Sequence, residues 1–141
     1  MQVDFYQLGR DPIGPVLAGI AARVLAGGGR MLVVTGDEGQ AAALDEALWA
    51  GADSFLPHGR EGADQPVLIG PSCDAANGAR FVGLADGVWR EEALGFERAF
   101  HFFDDRSIAA AREAWRGLKD REGVEPRYWR RDENGRWERA A

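Results

Sequence analysis

RMLVVT, residues 30–35, is apolar from Met31 through Val34 without a break. A strand of that kind is buried on both faces, and cover on both faces is the property of a parallel sheet packed between helices. PVLIG at 66–70 and ARFVGLAD at 79–86 give two more strands, VDFYQL at 3–8 a first one, and FERAFHFFDD a fifth near 98–103. Helical spacing fills the gaps. Leu17, Ile20, Ala21 and Val24 follow Pro15, which suits a first helical turn, and Gly27-Gly28-Gly29 ends that helix. A second helix starts at an Asp37 cap and runs to about Trp49. GVWREEALG is a turn and a short helix, and 106–122 is a long helix. PRYWRRDENGRW then gives a short strand, an Asn134-Gly135 turn and a second short piece. The expected class is α/β: a Rossmann-like, largely parallel sheet flanked by helices. A length of 141 residues suits a single domain, 1–141, with the helix and hairpin of 106–141 part of it.

Charge is unevenly placed. Residues 1–105 hold 7 Lys and Arg against 16 Asp and Glu, whereas 106–141 hold 10 against 7. The net charge of −6 makes the whole molecule a poor grip on a phosphate backbone. The basic last quarter can still draw an anionic partner locally, or be a solvated charged tail. The single cysteine, Cys73, excludes an internal disulfide and a multi-cysteine zinc site. No long apolar run directs the chain to a membrane, so a cytoplasmic location is expected.

Catalytic constellations are missing from the pattern. LGRDPIG after the first strand is not a dinucleotide-binding turn, and the GGGR at 27–30 precedes a strand instead of opening a helix. TGDEG at 35–39 does sit between strand and helix. It lacks a P-loop lysine, and Asp37 and Glu38 would repel phosphate there. Ser54, Ser72 and Ser107 have no nucleophile-elbow setting, and Cys73 has no histidine partner in sequence. His101 is expected on a strand, satisfied or half exposed. Asp104-Asp105 fits acids at a helix start better than a metal pair. No catalytic role, cofactor or metal is expected.

Two groups of rings stand where the core does not ask for them. Ala41, Leu44 and Leu48 share one arc of their helix, and Trp49 falls roughly 120° from its centre at 100° per residue. Phe55, Pro57 and His58 follow and can complete a patch; the alternative is a satellite cluster under the loop. On the helix 106–122, Ile108, Ala111, Trp115 and Leu118 form a core-facing stripe. Arg112, Arg116 and Lys119 form a basic stripe beside it, with Trp115 at the seam. Guanidinium forks and an apolar seam suit the C-terminal carboxylate of a peptide; an ordinary solvated face is the alternative. The tail PRYWRRDENGRWER interleaves Tyr128, Trp129 and Trp137 with five arginines. That composition fits either single-stranded nucleic acid or a folded hairpin whose rings pack on the sheet edge under stacked arginines.

Taken together, VDFYQL, LDEALW followed by SFLPH, FVGLADG, AREAWRGLK and YWRRDENGRW resemble the chi subunit of the bacterial DNA polymerase III holoenzyme. The resemblance implies a non-catalytic accessory protein of the clamp-loader assembly. It implies a link to single-stranded DNA-binding protein, made by gripping that protein's acidic C-terminal tail, which ends in a Phe with a free carboxylate. By position, Arg112, Trp115 and Arg116 match the family's tail-binding set, and Lys119 extends it by a turn. Trp49 and Phe55 match the aromatic pair of the face that binds the psi subunit, or in some relatives a competing helicase, with Pro57 and His58 beside them. Contact with DNA would be mostly indirect. A nucleotide-binding enzyme and a direct single-stranded DNA binder are the competing expectations.

Overall fold

The computed structural model describes residues 1–50 and 57–141. In chain order the elements are β1 (Gln2–Gly9), α1 (Ile13–Ala26), β2 (Met31–Val34), α2 (Glu38–Ala50), β3 (His58–Gly59), β4 (Val67–Gly70), β5 (Phe81–Leu84), a 3₁₀ turn at Glu91–Gly95, β6 (Arg98–Asp104), α3 (Ile108–Lys119), β7 (Glu125–Arg131) and β8 (Trp137–Arg139). Among the described residues the strands form one eight-stranded sheet in the order β3-β4-β2-β5-β6-β1-β7-β8. All pairings are parallel except β7 with β8. The α/β, Rossmann-like class expected from the strand and helix alternation is the observed one.

The unbroken apolar run of β2 has a direct cause. Met31 and Val33 join the core under α1 and α2, with Leu17, Ile20, Leu44, Leu48 and Phe102. Leu32 and Val34 join the core on the other face, under α3, with Phe5, Leu84, Phe103, Ala111 and Leu118. Each residue of the strand therefore has a core to enter. Pro15 lies in the first turn of α1, and the glycine stop behaves as expected. Gly28 takes a φ of +83°, and Gly28 and Gly29 donate back to the carbonyls of Leu25 and Val24. At α2 the Asp37 Oδ1 accepts the Gln40 N–H at 2.7 Å, and Gln40 Oε1 accepts the Gly36 N–H at 2.9 Å, a reciprocal cap.

Three features differ from expectation. α3 is shorter than 106–122, because Asp104 Oδ1 accepts the N–H groups of Arg106 and Ser107 and holds them in a turn before the helix. β3 adds a two-residue edge strand in a region expected to be loop. His101 is neither satisfied nor half exposed: it is fully buried, and neither ring nitrogen has a hydrogen-bond partner among the described residues. The rings of Phe5, Trp89 and Phe103 surround it at 5.3, 5.7 and 5.9 Å. Burial pushes its pKa down to about 4, with Asp86 opposing and Arg90 adding to the shift.

Candidate protein-binding sites

The end of the chain returns to the sheet. β6 leads through α3 to β7, which lies on the far side of β1 with Tyr6 opposite Trp129 and Phe5 opposite Tyr128. α3 packs on β6 and β7 from one face, so its sequence stripe meets both. Ala111 and Leu118 are buried, while Ile108 and Trp115 are half-buried against the same core.

Trp115 meets Phe5 edge-on at 5.4 Å and Tyr128 edge-on at 5.7 Å. The Tyr128 hydroxyl donates to Gln7 Oε1 at 2.6 Å. Its pKa is raised by burial, and the Arg112 guanidinium beside it works against that rise. Arg112, Trp115 and Tyr128 thus form one aromatic and cationic patch where α3 packs on β7. Arg112 and Lys119 have no ion-pair partner among the described residues, and both are exposed. Arg116 meets Glu113 at 3.6 Å, but both side chains are largely in water, where such a pair holds a guanidinium weakly. The expected tail-binding residues Arg112, Trp115, Arg116 and Lys119 are brought together on one helix face, with cations available to an incoming anion.

Tyr128 and Gln7 belong to this patch and the helix pattern alone does not name them. The signal for Tyr128 is the alternation in PRYWRR, which sends adjacent rings to opposite faces: Tyr128 packs with the core under α3, Trp129 with the other core.

The second expected patch lies at the opposite sheet edge. Trp49, near the end of α2, is 58% exposed. His58 on β3 is buried beneath it, ring centroids 4.6 Å apart. Its Nε2 is 3.0 Å from both the backbone oxygen and Oδ1 of Asp45, one helical turn before Trp49. His58 is therefore a prop for the indole and not part of the surface it presents. Pro57 is half-buried next to it. Phe55 lies outside the described residues.

The other sequence candidates stay separate. The N-terminus of α2, where a phosphate would sit in a nucleotide site, is taken by the Asp37 carboxylate. Cys73 is half-buried, with its thiol pKa raised by burial. No group of three metal-ligating side chains occurs among the described residues. No helix among them is long and apolar enough to cross a membrane.

A family model described as DNA polymerase III chi subunit, HolC, matches residues 1–126. The match takes in α2 and α3 and ends within β7, before Tyr128 and the β8 strand. No curated protein matches the chain significantly.

Proposed function

Since this chain belongs to the chi-subunit family of DNA polymerase III, accessory components of the replicative polymerase that are not themselves catalytic, we propose that it acts as the adaptor between the clamp-loader side of that polymerase and single-stranded DNA-binding protein. The α3–β7 patch receives the acidic C-terminal tail of that protein. The terminal carboxylate meets Arg112 and Arg116, Lys119 attracts the acidic residues preceding it, and the terminal Phe packs against Trp115. The observation that carries this reading is the half-buried indole of Trp115 beside two cations, Arg112 and Lys119, that no carboxylate among the described residues claims.

Trp49, with Pro57, Phe55 and the supporting His58, forms the second face. Its partner is the psi subunit or an equivalent clamp-loader component, or a helicase taking the same patch. A large exposed indole held from below is the usual form of an interface anchor.

The experiment is a tryptophan fluorescence titration with three ligands: an acidic peptide ending in Phe, the same peptide amidated at its C-terminus, and a dinucleotide. The free acid is expected to bind and to weaken as salt rises; the amide and the dinucleotide are expected to fail. Equal binding of acid and amide removes carboxylate capture from the account. Binding of the dinucleotide alone favours an enzyme.

A further inference from the structure

The α3 patch uses one face of the C-terminal hairpin, and the other face has a composition of its own. Pairing across β1, β7 and β8 puts Tyr6, Trp129 and Arg139 in one row, with Arg131 opposite Trp137 in the next. On this side, β7 and β8 present Arg127, Trp129, Arg131, Trp137 and Arg139, with Glu125 as the one acid. The helices of this face, α1 and α2, pack on each other, on β2 and on β4. Trp129 and Trp137 remain half exposed. Trp129 stacks on Tyr6 at 6.2 Å and 13°, Trp137 meets Tyr6 edge-on at 5.2 Å, and the Arg131 guanidinium lies over Trp137 at 4.3 Å.

Tyr6 also lines a cleft of about 640 Å³ between the end of α1 and the starts of β5 and β6. Its floor includes Phe81 and Phe100, and its rim carries Arg23, Arg80 and Arg98. The ringed face and the cleft are one surface joined at Tyr6. Four of its arginines have carboxylate partners: Arg80 with Glu97, Arg98 with Asp4, Arg127 with Glu125 and Arg131 with Asp11. Arg23 has none among the described residues, and Arg139 Nε donates to the Ala141 backbone oxygen at 3.0 Å. On a chain of net charge −6, this is a local cationic excess set among planar rings.

We propose that this surface, from the end of α1 across β1 to the β7–β8 hairpin, binds a short single-stranded segment of nucleic acid. Bases pack against the partly exposed rings of Phe81, Trp129 and Trp137, and phosphates lie near Arg23 and Arg139. Duplex is the poorer ligand: its bases offer no free faces, and its denser charge meets a body that is acidic overall. The contact is weak by design of charge. It gains from the tail capture proposed above, because a chain already tethered beside the strand meets it at high effective concentration. Binding of an oligonucleotide to the protein alone does not depend on that tail capture, so the two readings can fail separately.

The test is fluorescence anisotropy of a labelled oligothymidylate of roughly 12 nucleotides with the full chain, at about 50 and 200 mM salt. Binding is expected at the lower salt and loss at the higher. Arg23→Glu with Arg139→Glu, two exposed side chains with no Asp or Glu partner among the described residues, should weaken it about tenfold or more, with the circular dichroism spectrum unchanged. Arg112→Glu, on the opposite face, should leave it intact, and an unlabelled duplex should compete poorly. Four results would overturn the proposal: no binding at low salt, a double variant that titrates like the wild type, loss of binding in Arg112→Glu, or displacement of the oligonucleotide by an acidic peptide as readily as by unlabelled strand.

Discussion

Arg112 and His101 show two opposite fates for a polar side chain next to a ring. Arg112 keeps its charge in water and lies beside Tyr128 and Trp115, so its removal takes away a charge-assisted contact and leaves no buried hole. Arg112→Ala is expected to weaken the free-acid tail peptide by about 1.5–3 kcal/mol, read by titration, and to leave the melting temperature unchanged. Equal affinities in variant and wild type would place the carboxylate elsewhere. His101 has the reverse problem: a base enclosed by Phe5, Trp89 and Phe103 with no acceptor or donor among the described residues at either nitrogen. Its folded pKa of about 4 lies below the ordinary 6.5. Between those values the unfolded chain takes up a proton that the folded chain refuses. Stability contributed by the neutral ring is therefore whole above about pH 6.5 and declines as pH falls toward 4, by up to roughly 3 kcal/mol. His101→Leu should flatten that part of the pH–stability curve in chemical denaturation. A curve of unchanged slope would mean that other groups set it. Sequence could name Arg112 and Trp115 because helical spacing fixes their side of the helix. It could not describe His101, since burial on both faces of a central strand depends on which elements cover it.

At the scale of elements, the apolar strands and the caps were legible because they obey local rules: β2 fills two cores with alternate residues, and Asp37 and Gly28 end their helices by hydrogen bonds a few residues long. The neighbour of β7 was not, because the crossover through α3 passes over β1 and local pattern carries no record of which strand lies beyond. That placement is what brings Tyr128 under α3 and sends Trp129 to the other face. The packing of α1 on α2 is also set by a detail that spacing does not reveal. A Cβ added at Gly14 would stand 2.9 Å from the Ala47 Cβ, too close for either helix to keep its place. Gly14→Val is expected to destabilise the fold by about 1–3 kcal/mol, seen as a lower denaturant midpoint at constant slope. A midpoint that does not move would show that the two helices separate without cost.

Across the whole molecule, the sheet is a spacer. β3 carries the support for Trp49 at one edge, and α3 rests on β6 and β7 toward the other. Six strand intervals separate β3 from β7, roughly 29 Å at the usual spacing, which exceeds the screening length of about 8 Å at physiological salt. The two faces share no side chain and no described ion pair. Each can then be occupied without altering the other, which is the physical requirement for an adaptor whose partners bind at once. Trp49→Ala should weaken capture of the clamp-loader partner and change tail-peptide affinity by less than about 0.5 kcal/mol. Arg112→Ala should do the converse, and the double variant should show the sum of the single effects in both assays. A coupling above about 1 kcal/mol, or a Trp49→Ala chain that loses the peptide, would mean that the sheet transmits a change between the faces, and a rigid spacer would no longer describe it.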